Sequence, residues 1–457
     1  MSQHLRDFND PEAAPILQPE LDPIQRGLMN HGETILNGMG VNVSDTSDGK
    51  RLVINAGGHM AGMDVHEPDV VIPALLRHGS NGLFYTYTGG ADGKPLWTIN
   101  SDFTAVPGDV NTGNPDSDGL VILAQALHSA TERPRKVGRF AARLIAPFMD
   151  ARAEQQWRMS TSRTKEEISR HYDHRQDFYV GEHGILDQKY TQYSSGLLLP
   201  GHEFESLEEL QRHKVESIAR KLELEGAETL LEIGTGWGGL AIALAEIAPH
   251  IKITSLTISE EQAKIARQRI KEAGLEDRIE VLCQDYRDLE PENKFDRAVS
   301  IEMIEAVDWR DLPVYFDALT RLVDPKDGVI MLQSINVAPE QEALQRRSNG
   351  FASTAIFPGG SLVSLQTISK GMAERGWRMH EATDLTRSYD LTLREWRRNM
   401  HTNTSALTDR WVEEGNSPEA VARSNRGFDF YLAFSQAGFR KGTDHIQDWQ
   451  TSFRPGQ

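Results

Sequence analysis

Residues Leu230 to Leu240 read Leu-Leu-Glu-Ile-Gly-Thr-Gly-Trp-Gly-Gly-Leu: a short apolar run enters Gly234, Gly236, Gly238 and Gly239, and a second apolar run leaves them. Glycines at such a junction let the backbone turn tightly and let a ligand lie against the main chain. The pattern predicts a strand over Thr229–Ile233 and a helix over Gly239–Ile247. By itself it suits NAD, FAD, another nucleoside, or only a tight turn. Two neighbours argue against a dinucleotide. The acidic residue, Glu232, precedes the glycines, and the next strand ends in Leu256-Thr-Ile-Ser259, where a dinucleotide site wants a carboxylate for the ribose.

Outward from this turn, helix and strand signals alternate. A helix is expected over 205–221 and another over 260–273. Strands are expected at 251–256, 279–282, 295–301 and 328–335. Such alternation predicts an α/β fold, a mostly parallel sheet with helices on both faces and ligands at the strand C-terminal edge. Upstream, residues 51–127 suggest a smaller α+β unit, with strands at 51–55 and 84–88 and helices at 70–77 and 121–129. Residues 1–50 are expected to be a partly ordered lead-in, and 111–118 a loop.

The chain has 457 residues, long enough for more than one domain, and a net charge of −18, which disfavours nucleic acid as a partner. Cys283 is the sole cysteine, so an intramolecular disulfide is excluded and a reducing cytoplasm is favoured. There is no apolar run of membrane-spanning length and no secretory pattern at the N-terminus. The acidity is uneven. Arg133, Arg135, Lys136, Arg139, Arg143, Arg152, Arg158, Arg163 and Lys165 are opposed only by Asp150 and Glu154. Within this stretch Phe140–Met149 sets apolar residues at helical spacing, as an interfacial or an inter-domain helix does.

The third strand runs into Cys283-Gln-Asp285-Tyr286. An Asp beside an aromatic ring suits adenine, although an Asp there also caps a turn. With this third strand end, the series resembles a class I S-adenosylmethionine-dependent methyltransferase. More narrowly it resembles the cyclopropane-fatty-acyl-phospholipid synthase family, which includes the mycolic acid cyclopropane synthases. The resemblance is carried by His171-Tyr-Asp-His-Arg-Gln-Asp-Phe-Tyr179, Tyr193-Ser-Ser-Gly196, the glycine turn and Leu256-Thr-Ile-Ser-Glu-Glu-Gln262. It continues through Ser300-Ile-Glu-Met-Ile-Glu305, Phe357-Pro-Gly-Gly360 and Ser388-Tyr-Asp-Leu-Thr-Leu-Arg-Glu-Trp396.

The resemblance implies a Rossmann-like methyltransferase domain over 169–457, a basic connector over 131–168, a divergent N-terminal domain over 1–130 and a lid insertion near 336–366. It implies S-adenosylmethionine contacts from Tyr193, Ser194, Glu232, Gly234, Thr235, Gly236, Trp237, Thr257, Ser259, Gln262, Asp285 and Tyr286. In this family an alkene attacks the sulfonium methyl, and a bound bicarbonate is thought to take the proton lost afterwards. Its cradle falls here on Ser195, Glu305, Gln333, Ile335 and Tyr389. Ser195 and Gln333 stand where the best-known members carry cysteine and histidine. Each of these residues also has a purely structural reading: Glu305 as a cap, Gln333 as a bonded core amide, Tyr389 as a packed aromatic. His171 and His174 lack the further ligands a metal needs, so none is expected.

The expected function is methyl or methylene transfer to the double bond of an unsaturated phospholipid acyl chain, giving a cyclopropane or methylene-branched lipid. Phe351, Ala355, Ile356, Phe357 and Pro358 would line the acyl site, and Arg139, Arg143, Arg394, Arg397 and Arg398 would meet the phosphate. The expected partner is an unsaturated phospholipid at an anionic membrane surface, met from the cytoplasmic side. The family context also allows a homodimer and a reductase partner. A methyltransferase for a soluble or carrier-bound substrate, and a non-catalytic lipid- or cofactor-binding protein, remain alternatives. A dehydrogenase is more distant.

Overall fold

The computed structural model describes residues 41–56, 59–66, 94–105, 120–125, 176–345, 361–440 and 446–456, with single positions at Val71, Leu75, Leu83 and Tyr87. The chain forms two compact units. The first comprises Met1–Ile145, Gly350–Ala355 and Met400–Asp444, and the second Ala146–Asn349, Ile356–Asn399 and His445–Gln457. The connector at 131–168, the loop at 111–118, the motif residues 171–175 and the proposed acyl-site residues Phe351 to Pro358 lie outside the described residues.

The first unit holds an antiparallel meander of β1 (Val41–Thr46), β2 (Gly49–Ala56), β3 (His59–Val65) and β4 (Trp97–Ala105). β1 falls in the expected lead-in. It is ordered because it pairs with β2 along its length, from Val41 opposite Ile54 to Thr46 opposite Gly49. The alternation at 84–88 predicts a strand, yet Leu83 and Tyr87 are helical. Four residues apart on a helix, they share one side. The Trp97 indole Nε1 donates to the Leu83 carbonyl at 3.1 Å, and the Tyr87 ring lies 4.6 Å from that of Trp97. Packing on Trp97 overrides the strand propensity of Tyr and Thr.

Residues Met400–Asp444 group with the first unit. Phe430 of the C-terminal helix Pro418–Phe439 explains this, with its ring centroid 6.0 Å from Tyr87 and 6.4 Å from Trp97.

The second unit is built on a seven-stranded sheet of order β10-β11-β9-β8-β5-β6-β7. Its elements are α1 (Leu207–Leu222), β5 (Thr229–Ile233), α2 (Gly239–Ile247), β6 (Lys252–Thr257), α3 (Glu260–Glu272) and β7 (Ile279–Cys283). They continue with β8 (Arg297–Ile301), α4 (Leu312–Leu322), β9 (Val329–Val337), α5 (Leu365–Ala373), β10 (Trp377–Asp384), α6 (Thr386–Glu413, of this unit only as far as Asn399) and β11 (Ile446–Pro455). β5 to β9 run parallel, while β11 enters antiparallel between β9 and β10. The mostly parallel α/β fold is therefore as expected.

Alternation along the strands divides the core. Leu230, Ile253, Val281, Val299 and Met331 pack with α1, α2 and α3. Leu231, Leu256, Ala298, Ile330 and Leu332 pack on the other face with α4 and α5. The order in which strands are laid down reverses at β5, which pairs in parallel with β6 on one side and β8 on the other. The crevice at that reversal is where an open parallel sheet binds its ligand.

Candidate active site

A cavity of about 520 Å³ opens at the C-terminal ends of β5, β6, β7 and β8. All twelve residues expected to hold the cofactor line it: Tyr193, Ser194, Glu232, Gly234, Thr235, Gly236, Trp237, Thr257, Ser259, Gln262, Asp285 and Tyr286. Gly236 has φ +52°, and a Cβ built there meets nothing within 4 Å, so the turn presents bare backbone. At Gly239 the constraint is opposite: a Cβ would sit 1.5 Å from the Tyr190 carbonyl oxygen. That contact holds the segment carrying Tyr193 and Ser194 against the start of α2.

The remaining wall positions are fixed from behind. Ser259 caps α3 by accepting from the Gln262 amide at 3.1 Å, and Thr257 Oγ1 bonds Gln262 Oε1 at 3.0 Å. Trp237 is buried beside Tyr179, and its indole donates to Gln176 Oε1. Tyr193 stacks on Trp396 at 4.8 Å. Asp285 accepts from the Arg287 amide at 2.9 Å and pairs with the Arg287 guanidinium at 2.6 Å. A carboxylate keeps acceptor capacity beyond two such partners. Tyr286 meets Tyr315 edge-on at 5.6 Å, and burial pushes its phenol up to about 12. Glu232 is buried and bonded by Ser255, whose hydroxyl also meets Thr235 at 2.7 Å. Burial pushes the Glu232 carboxyl up to about 8. Size, aromatic walls, exposed backbone and a buried acceptor fit a nucleoside with an amino-acid tail, as in S-adenosylmethionine.

Of the five residues expected to cradle bicarbonate, Ser195, Gln333 and Tyr389 converge on a group missing from the expectation, and Glu305 and Ile335 bond each other. Glu302 follows β8 with a left-handed φ of +46° and lines the cofactor cavity. Its Oε1 accepts from the Ser195 amide at 2.9 Å and from Gln333 Nε2 at 2.7 Å. Its Oε2 accepts from the Tyr389 hydroxyl at 2.5 Å. The Gln333 amide is oriented by Gln450, whose Nε2 donates to Gln333 Oε1 at 3.1 Å. The fifth position, Ile335, donates its amide to Glu305 Oε1 at 2.5 Å. The Ser195 hydroxyl is turned to the Gly196 carbonyl at 2.9 Å.

Two further charged residues complete this cluster. Asp448 on β11 accepts from Gln333 Nε2 at 3.1 Å. Lys214 on α1 is fully buried and donates to Ser194 Oγ at 2.6 Å. Burial raises the carboxyls of Glu302, Glu305 and Asp448, and Glu305 reaches about 8. Burial also lowers the Lys214 ammonium to about 8, against the pull of Glu302, Asp187 and Asp448. Both Glu302 oxygens have donors, which favour its ionised form against the burial that raises its pKa. Glu305 Oε2 and Asp448 Oδ1 are buried without a hydrogen-bond partner among the described residues, as suits acids that keep their protons.

Residues 159–449 match the mycolic acid cyclopropane synthetase family. The chain belongs to that family. It is an S-adenosylmethionine-dependent methyltransferase. A tuberculostearic acid methyltransferase of Mycobacterium tuberculosis is 31% identical over 397 residues, covering 86% of this chain and 83% of the relative. A cyclopropane-fatty-acyl-phospholipid synthase of Escherichia coli is 31% identical over 286 residues, covering 63% and 67%. The solved structure of a cyclopropane synthase from Mycobacterium tuberculosis has the same fold, with a TM-score of 0.54 at 23% identity, over 63% of this chain and 97% of that one.

For this synthetase-family methyltransferase, sequence reasoning missed Glu302, Lys214 and Asp448. Glu302 had a signal: a carboxylate one residue past a buried parallel strand, at the edge where ligands bind. Lys214 had another, lying on the core stripe of α1 between Leu210 and Ile218 at helical spacing. Asp448 had none, because only the antiparallel insertion of β11 beside β9 brings it to Gln333. Of the arginines expected to meet phosphate, Arg394 and Arg398 pair with the buried Glu395, and Arg397 is buried. Arg139 and Arg143 lie outside the described residues. No helix among the described residues is long and apolar enough to cross a membrane.

Proposed function

We propose that this enzyme methylates the double bond of an unsaturated fatty-acyl chain on a membrane phospholipid, giving a cyclopropane or a methylene-branched chain. The observation that carries the reading is one cavity lined by the whole expected cofactor set, with a buried carboxylate cluster at its wall. The likeness to a tuberculostearic acid methyltransferase and to a cyclopropane-fatty-acyl-phospholipid synthase supports a lipid substrate.

S-adenosylmethionine, when bound, supplies an electrophilic methyl group. The chain's own residues do the rest. Gly234 and Gly236 admit the ligand against the backbone. Trp237 and Tyr286 offer flat apolar walls, and Asp285 and Glu232 offer acceptors. An alkene is a weak nucleophile, so alignment and exclusion of water matter more than activation by a strong base. Alkene attack leaves a carbocation, which a buried carboxylate stabilises and a base resolves by removing a proton. Basic residues 133–165 would hold the enzyme at an anionic leaflet.

The test incubates the purified protein with isotopically labelled S-adenosylmethionine and liposomes of monounsaturated phospholipid, then analyses the acyl chains by mass spectrometry. A gain of one labelled methylene unit is expected. Mild hydrogenation separates a resistant ring from a reducible methylene branch. Cofactor binding with no gain on any unsaturated phospholipid would overturn the substrate assignment.

A further inference from the structure

The donors expected to cradle a bicarbonate do not fit one here. The Ser195 amide, the Gln333 side-chain amide and the Tyr389 hydroxyl all donate to Glu302, and the Ile335 amide donates to Glu305. A further anion would find each of these protons engaged. It would also add negative charge to a buried cluster that already sets Glu302, Glu305 and Asp448 beside Lys214, where an uncompensated charge is costly.

Glu302 reaches this place from an unusual backbone. A glutamate at φ +46° occupies the left-handed region, which side chains with a Cβ rarely enter because the Cβ crowds the following carbonyl oxygen. Such strain persists where surrounding contacts hold it, and it gathers at functional sites. Here three donors grip the carboxylate, and the same residue lines the cofactor cavity.

We infer that the Glu302 carboxylate takes the place of the family's bicarbonate and is this enzyme's built-in proton acceptor. The inference rests on the proposed alkene methylation. In the reaction the alkene π electrons form the new bond to the methyl carbon. The carbon–sulfur bond breaks with its electrons on sulfur, giving neutral S-adenosylhomocysteine. The cation left on the neighbouring carbon then loses a C–H proton to a Glu302 oxygen. The C–H electron pair closes the cyclopropane ring or, after a hydride shift, forms the methylene double bond. Glu302 returns its proton to water between turnovers. Tyr389, Gln333 and the Ser195 amide act as positioning groups for the carboxylate.

Two arms test this. In the first, turnover of unsaturated phospholipid is followed in buffer stripped of carbon dioxide and again with added bicarbonate. The wild type is expected to run equally in both. Glu302→Gln, which keeps the shape and loses the base, is expected to lose at least about 100-fold, the lower range for general-base removal, without rescue. Glu302→Gly suits the positive φ and empties the cradle. It is expected to be equally impaired without bicarbonate and to recover when bicarbonate is added. A wild type that needs added bicarbonate, or Glu302→Gln at wild-type rate with S-adenosylmethionine binding unchanged, overturns the inference.

The second arm needs no turnover. Binding of carbon-13-labelled bicarbonate is measured by NMR, and binding of S-adenosylhomocysteine by calorimetry serves as the folding control. Bicarbonate is expected to bind Glu302→Gly and not the wild type; binding to the wild type overturns the replacement. If the wild type modifies no unsaturated lipid, the proposed function fails and the acceptor role with it. The binding arm still decides whether Glu302 has displaced the anion.

Discussion

Burial without a nearby cation governs Glu232. Its carboxyl is raised to about 8, so in the folded protein it holds a proton that the unfolded chain releases near its ordinary value of 4.5. Between these values the native state binds more protons than the unfolded state, and stability falls as pH rises through the window. Glu305 acts in the same direction. Lys214, lowered to about 8, acts oppositely above that pH, which leaves the range from about pH 5 to about pH 8 clear for measurement. Glu232→Gln is expected to flatten the decline of the urea midpoint over that range relative to wild type. An unchanged slope would place the charged form of Glu232 in the fold.

The β5–α2 junction is an element-scale constraint, because the strand, the helix and the Tyr190–Ser194 segment meet there within a single side chain's width. Gly239→Ala forces a methyl to within 1.5 Å of the Tyr190 carbonyl. Backbone cannot yield as a flexible side chain does, so the expected cost is about 3 kcal/mol, at the upper end for overpacking. S-adenosylhomocysteine affinity should fall with it, since the displaced segment carries Tyr193 and Ser194. Gly226→Ala serves as the control: its nearest neighbour is Arg297 Nη2 at 3.7 Å, and a change within about 0.5 kcal/mol is expected. Chemical denaturation with calorimetric titration of both variants checks the contrast, and equal effects would contradict it.

Across the whole molecule, a net charge of −18 coexists with the basic run from Arg133 to Lys165. Attraction to an anionic surface decays within a Debye length, so a local cluster can act despite repulsion from the rest of the chain. On the proposed membrane reading, reversing the charge at Arg133, Arg135, Lys136, Arg139 and Arg143 is expected to abolish sedimentation with anionic liposomes. Added salt should weaken wild-type binding in the same assay. Each basic group near such a surface is worth about 1 kcal/mol, so five reversals far exceed the energy of a tenfold change. Undiminished liposome binding would reject the electrostatic anchor.

The amino-acid sequence by itself determined the parallel α/β core and the cofactor cavity, because both depend on local patterns. Periodicity sets β5 to β9 and their helices, and right-handed crossovers then bring the strand ends, with their glycine, Thr-Ile-Ser and Asp-Tyr motifs, to one edge. The first unit was less legible. Tyr87 is helical because of Trp97 and Phe430, which stand 10 and 343 residues along the chain. The buried carboxylate cluster was legible in only part of its membership and not in its arrangement. Ser195, Gln333, Tyr389 and Glu305 were named from the sequence, yet the donors of the first three converge on the unforeseen Glu302, with Asp448 delivered by an antiparallel strand. Which carboxylate takes which proton depends on burial and on distances of a few tenths of an ångström, and only the packed tertiary structure decides those.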